Sequence, residues 1–328
     1  MQPICDGFQR GKDRPCVHSI GEKFDFCALP EMFRCIEFIR RNEPTLSYST
    51  IQNSYCKRKI YYSYIMGIQL IVKPLPMRLG EIASDILNCL HDESGKSNPP
   101  DLNQFRNEEG ELPYQIEALL GLFKGYETKE FDAIKGVVQP RFEWWEAGYP
   151  HIIGYGDLAT YESHIAYEFK YTSRPEAYQN KFIVQNQIAT QFLGIPSINR
   201  ITLRAFQVPQ LRLAKNESLA DYRERVYQDF LARPLHYIHD TSYWRNEFNY
   251  DELREKYKMV AREIQNFIEL GGINYFYQSN GPSTCFGDTT GSNTSNCEYL
   301  PICESGVISD LIYKKREVKQ NEEPRLKY

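Results

Sequence analysis

The sequence contains no long hydrophobic run. Its best stretch, Tyr64 to Val72, is short and interrupted by Gln69, whereas a membrane-spanning helix needs roughly 18 or more consecutive apolar residues. No membrane association is expected. Charge of one sign is not in excess either: 39 Lys and Arg against 43 Asp and Glu leave a net charge of −4. That balance gives no global attraction to nucleic acid, so any such binding must come from local patches. Gly (20) and Pro (18) are ordinary in number, and 41% hydrophobic with 25% charged residues excludes a disordered or fibrous chain. The opening MQPICDGFQRGKDR lacks the apolar segment of a secretory signal, so a cytoplasmic protein is expected. At 328 residues the chain can bury a core without staples.

Cysteine is absent from the whole interval between Cys89 and Cys285. Six of the nine lie between Cys5 and Cys89, and Cys285, Cys297 and Cys303 crowd together near the end. An odd count without a secretion signal argues against a disulfide framework. The six early cysteines read as small buried hydrophobes, and the three late ones as part of a metal or iron–sulfur site. Cys5, Cys16, Cys27 and Cys35 have wide gaps and no C-x-x-C, so a second metal site is not assigned to them.

Helical patterns fill the first part of the chain. They begin at Pro30, at Ser47 or Ser49 (running through Ile51, Tyr55, Ile60 and Tyr64), at Gly80 to Leu90, and at Pro113. From about Ile134 the pattern changes. VVQPRFEWWE, HIIGYGDLAT and SHIAYEFKYT read as three strands, Pro175 to Leu193 as a helix and Arg200 to Val208 as a fourth strand. Helices Ser218 to Leu231 and Asp251 to Leu270 follow, then a long loop with the late cysteines. The fold class is α/β with one mixed sheet. The expected divisions are an extension at 1–45, a helical segment at 46–133, an α/β core at 134–270, a cysteine loop at 271–310 and a charged tail at 311–328.

Chemistry concentrates in GYGDLATYESHIAYEFK. Asp157 is expected to end one strand, and Glu168 and Lys170 to share a face of the next, with Phe169 pointing to the core. The two strands are expected to be antiparallel across a turn at Tyr161 to Ser163, which brings Asp157 near Glu168. Two carboxylates and a lysine on one sheet face are costly to bury unpaired, and hard oxygen ligands suit magnesium or manganese. Glu-x-Lys by itself carries nothing, since it occurs at Glu127, Glu168 and Glu317; only the copy at Glu168 lies in a strand-like run.

With Asp157, Glu168 and Lys170 followed by the helix QNQIATQFLG, the chain resembles the RecB-like branch of the PD-(D/E)XK nucleases from about Leu46 to Cys303. The resemblance implies a restriction-endonuclease-like core and a metal-dependent deoxyribonuclease, most simply an exonuclease on single-stranded DNA or DNA with a free end. Mg2+ or Mn2+ would be held by Asp157, Glu168 and the Phe169 carbonyl. It also implies a helical glutamine, Gln185 with Gln187 as the competing register, and an upstream carboxylate, Glu143. LSYSTIQNSYCKRKIYYSYIMGI resembles the family's basic and aromatic helix. Where related proteins carry a His four residues after a helical Gly, this chain has Ser84, followed by Asp85. That departure keeps open a second reading, a non-catalytic nucleic-acid-binding or assembly module on the same fold. Basic residues in KRKIYYSY and RITLRAF could contact the backbone and stack bases, or simply snorkel.

The iron–sulfur members of this branch, AddB-like proteins and CRISPR-associated adaptation nucleases, use one early and three late cysteines. Cys56, Cys285, Cys297 and Cys303 occupy those positions, and CEYLPIC matches the family's final spacing. The resemblance implies a [4Fe-4S] cluster, with zinc the alternative occupant of four thiolates.

Overall fold

β-branched and aromatic residues at Ile165–Thr172 and Arg200–Gln207 form the two longest strands of the molecule. The computed structural model describes residues 19–20, 26–27, 45–108, 110–127, 134–146, 148–176, 182–269 and 297–315. In chain order, Ser19–Ile20 (β1) and Phe26–Cys27 (β2) pair antiparallel. Thr45–Leu46 (β3), helices Tyr48–Asn53 (α1) and Lys57–Ile60 (α2), a π-helical turn at Tyr61–Ile65 and Ile68–Leu70 (β4) follow. Next come helices Leu75–His91 (α3), with a proline in its first turn, and Tyr114–Glu127 (α4). The strand-rich middle holds Val137–Val138 (β5), Arg141–Trp144 (β6), His151–Tyr155 (β7), Leu158–Thr160 (β8) and Ile165–Thr172 (β9). Phe182–Gly194 (α5), Arg200–Gln207 (β10), Leu219–Ala232 (α6) and Ile238–Trp244 (β11) come next. Tyr250–Glu269 (α7), Leu300–Ser305 (α8) and Tyr313–Lys315 (β12) complete the described chain.

Five strands make the main sheet in the order β11-β10-β9-β8-β5. β9 and β10 are parallel, joined through α5, and the other neighbours are antiparallel. A parallel pair needs such a crossover, and its burial on both faces explains why β10 is almost continuously buried. On one face Val184, Ile188 and Phe192 of α5 pack on Ala159, Ala166, Ile201 and Leu203. On the other, α3, α4 and α6 enclose Phe206, with Phe169 and Tyr171 half-buried against them. A mixed sheet with helices on both faces is the α/β architecture expected. Among the described residues no helix is long and apolar enough to cross a membrane.

The helical layer is fixed by a close approach. A Cβ placed on Gly121 or Gly125 of α4 would lie 2.5 Å from the Tyr227 or Leu231 carbonyl oxygen of α6. Only glycine allows these backbones so near. The α6 terminus itself is capped by Ser218, whose Oγ accepts the Asp221 amide.

Three sequence expectations change. The helix expected from Ser47 through Tyr64 breaks at Cys56, whose backbone is extended (φ −122°, ψ 102°) and starts α2 afresh. Neither VVQPRFEWWE nor HIIGYGDLAT is one strand: β6 and β7 join β3 in a separate three-stranded sheet, while β5 and β8 belong to the main one. Strand β11 also lies where no strand was expected. The helix expected from Pro30 lies outside the described residues.

Candidate active site

Asp157 sits where a bent hairpin passes from one sheet to the other. β6 and β7 pair in the small sheet, β5 and β8 in the large one. Both chains cross at the same level: Gly156 N–H donates to Pro140 O at 3.0 Å, and Gln139 N–H to Asp157 O at 2.9 Å. Gln139 takes a left-handed conformation there (φ 47°), and Pro140 cannot donate to a ladder. Asp157 therefore precedes β8 instead of ending a strand, and its carboxylate turns across to β9. Its Oδ2 accepts the Phe169 amide at 2.7 Å. In a strand the N–H and C=O of one residue point to the same side, so the Phe169 carbonyl is directed towards Asp157 too.

Glu168 is 1% exposed. It is ion-paired with Lys170 on the same face of β9. Two helical amides cover the remaining positions: Gln187 Nε2 donates to Glu168 Oε1 at 2.5 Å, and Gln191 Nε2 donates to Oε2. Positions 187 and 191 are one helical turn apart on α5, so both amides point at the same carboxylate. Gln185 is exposed and lines a cleft of about 1000 Å3 with Ser54, Lys57 and Glu263. The glutamine expectation at Gln185 is thus corrected to Gln187, because two residues along a helix is a rotation of about 200°. Gln191 was not anticipated, although its i, i+4 spacing from Gln187 was the available signal. Enclosure, and next the charge of Glu168, hold the Asp157 carboxyl well above its ordinary range, against the opposing effect of Lys170.

Glu143 does not join this group. It lies on β6 opposite Ile153, while position 139 stands opposite Asp157. Four residues of strand put it about 13 Å further along. Its carboxylate faces the buried His151, with Oε2 3.3 Å from Nε2, and Arg141. Ser84 is half-buried and Asp85 exposed on α3.

Behind Phe169, on the opposite sheet face, runs a buried polar chain. Arg204 of β10 donates through Nε and Nη2 to Asp240 (2.8 and 2.6 Å) and through Nη1 to Tyr126 Oη at 2.8 Å. Burial pushes the Tyr126 hydroxyl up to about 12, so it keeps its proton and faces His91 Nε2 at 3.2 Å. His91 Nδ1 contacts the Ile134 carbonyl at 2.7 Å, which requires Nδ1 to carry the proton. Sequence inspection found no role for His91. Arg204 is therefore spent inside the fold and does not face a ligand. Lys57 and Lys59 of KRKIYYSY pair with Glu263 and Glu298, at 2.5 and 3.5 Å.

Three of the four expected cluster cysteines are described. Cys56 is buried, and Cys297 and Cys303 pack on Tyr62, Ile68, Tyr299, Ile302 and Tyr313. Burial raises the Cys297 thiol, with Lys59 opposing and the neighbouring Cys56 adding to the rise. None of these three is joined in a disulfide among the described residues. Cys285, like Cys5, Cys16 and Cys35, lies outside the described residues, and Cys27 falls on β2. Among the described residues no three His, Cys, Asp or Glu are grouped to hold a metal ion.

No protein-family model and no curated protein sequence matches the chain. Among solved structures, a candidate exonuclease from Eubacterium rectale is similar at 13% identity and a TM-score of 0.35, over 60% of this chain and 82% of its own. A phage-related exonuclease from Haemophilus somnus is similar at 12% identity and a TM-score of 0.33, over 70% of this chain and 98% of its own. Likeness at this level says nothing about chemistry, which rests on the side chains themselves.

Proposed function

We propose that the chain is a metal-dependent deoxyribonuclease, acting as an exonuclease on single-stranded DNA or DNA with a free end. The observation that carries this reading is the constellation formed by Asp157, just before β8, with Glu168 and Lys170 of β9. Two enclosed carboxylates converge with a lysine, and two amides orient one of them. The donor set fits a hard divalent ion. Glu168 Oε1 receives two donors and Oε2 one, which leaves a lone pair on Oε2. Asp157 Oδ1 receives none among the described residues. Asp157, Glu168 and the Phe169 carbonyl would hold Mg2+ or Mn2+, which would neutralise the phosphate and acidify a bound water.

The protein's own contribution is placement. Lys170 keeps its ammonium beside Glu168, where it can position the attacking water and offset charge building on the phosphate. Gln187 and Gln191 fix the rotamer of Glu168. Water adds to phosphorus and gives up one proton to solvent as the bond to the leaving sugar oxygen breaks, and that oxygen takes up a proton. Cys56, Cys297 and Cys303, with Cys285, would carry a [4Fe-4S] cluster or zinc as a structural clamp.

End-labelled single- and double-stranded DNA incubated with Mg2+, Mn2+ or chelator tests this. Asp157→Ala and Lys170→Ala should each lower cleavage about 100-fold or more with circular dichroism unchanged. Full cleavage by both variants would refute the assignment. DNA binding without cleavage by the unaltered protein would favour the non-catalytic module.

A further inference from the structure

Gln191 holds a buried atom with no partner. The residue is 1% exposed, its amide nitrogen is committed to Glu168 Oε2, and its carbonyl oxygen Oε1 is buried without a hydrogen bond among the described residues. Turning the amide over would only set that oxygen against the Glu168 carboxylate, so Glu168 fixes which end points away. The free end lies by the corner where Asp157 enters: a Cβ built on Gly156 would be 3.9 Å from Gln191 Oε1. A buried acceptor left unmade costs its full desolvation, and native proteins keep such atoms mainly where a water, an ion or chemistry uses them.

We propose that Gln191 is a positioning residue of the metal site, its Oε1 accepting a hydrogen bond from a water carried by the divalent ion at Asp157 and Glu168. This rests on the nuclease reading and deepens it. A metal-bound water is a strong donor, because the ion withdraws electron density from its O–H bonds. An amide oxygen beside two carboxylates supplies an acceptor without adding a third negative charge. The two glutamines then do different things. Gln187, half-buried, acts only on Glu168. Gln191 touches Glu168 with one end and the ion's hydration shell with the other.

Manganese binding, followed by electron paramagnetic resonance and by the rise in melting temperature on adding Mn2+, separates the roles. Gln191→Met removes donor and acceptor with little change in volume, Gln187→Met removes a Glu168 donor alone, and Gln191→Glu, sharing a proton with Glu168, keeps both a bridge to Glu168 and an oxygen at the free end. The expected pattern is a loss of Mn2+ affinity in Gln191→Met about tenfold or more beyond the loss in Gln187→Met, which also gives up a Glu168 donor, with Gln191→Glu recovering most of the difference. Equal loss in Gln191→Met and Gln187→Met would show that the donor to Glu168 is all that matters, and would overturn the proposal. So would unchanged affinity in Gln191→Met. If Gln191→Met does not fold, weak binding by Gln191→Glu overturns the proposal and retained binding sustains it. Asp157→Ala serves as reference: absence of Mn2+ binding in the unaltered protein removes the nuclease reading itself, whereas binding lost in Asp157→Ala but intact in Gln191→Met removes only the role of Gln191.

Discussion

His91 lies flat against Phe169, with ring centroids 5.5 Å apart and planes inclined by 21°. The residue between Glu168 and Lys170 is thereby held from behind by α3, and the same imidazole is tied to Tyr126, Arg204 and Asp240.

Tyr126→Phe should break two links of that chain at once, the contacts to His91 and to Arg204. Because both partners are buried, the loss should be about 1–3 kcal/mol of stability, read as a lower midpoint of urea unfolding. His91→Ala removes the ring behind Phe169 as well, and should lower both stability and Mn2+ affinity. An unchanged midpoint in Tyr126→Phe would mean that the chain contributes nothing.

Two glycine-to-alanine changes should act in opposite directions. At Gly125 the new methyl meets the Leu231 carbonyl at 2.5 Å. α4 and α6 must separate there, with a loss of about 1–3 kcal/mol. At Gly80 on α3 nothing lies within 4 Å, so the gain in helix propensity should stabilise by about 0.5–1 kcal/mol. Differential melting of the two variants reads the sign directly.

The raised Asp157 gives a pH dependence of definite sign. Its folded-state value lies above the unfolded one, so between the two the native protein binds the proton more tightly. Stability of the metal-free protein should therefore be greatest below the ordinary carboxylate value of about 3.9 as far as this group is concerned, and should fall as pH rises through the raised value. A divalent ion competes with that proton, so the stabilisation by Mg2+ should grow over the same interval. Asp157→Asn should flatten both trends in thermal melts taken at several pH values.

Cys56, Cys285, Cys297 and Cys303 should behave as one group when changed to Ala. Each should lose bound iron and sulfide, or zinc, by elemental analysis, and each should melt lower. Cys89→Ala, half-buried on α3 near Asp85 and Asp92, should keep full metal content. Full content in Cys56→Ala would remove it from the ligand set.

The parts of the fold that read well from the sequence are those where one local rule decides. The alternation in Ile165–Thr172 placed Glu168 and Lys170 together and Phe169 opposite, because a strand has a period of two residues. The phase of a helix against a sheet has no such local rule. The run QNQIATQFLG offers three glutamines, and only packing of Val184, Ile188 and Phe192 on the sheet turns Gln187 and Gln191 inward. Glu143 looked close to Asp157 because they are near in sequence, but Gln139 and Pro140 divert its strand into another sheet. β11 escaped notice because its polar His239, Asp240 and Thr241 interrupt any hydrophobic pattern. An edge strand can carry them, since β10 supplies its partners along one side only.

The hairpin turn at Tyr161–His164 is exposed and far from any ligand in character, with His164 in a left-handed conformation at φ 57°. Yet the ladder it closes, Thr160 against Ile165 and Leu158 against Tyr167, sets which β9 residue stands across from Asp157. One residue more in that turn, taken up by slippage of the pairing and not by a wider loop, would shift β9 by a single place. Phe169 would then come round to the carboxylate side and Glu168 would go beneath the sheet among the rings of α3 and α4. The turn thus works as a gauge block: its composition is free to drift, while its length is held as tightly as the identity of the acids it sets apart.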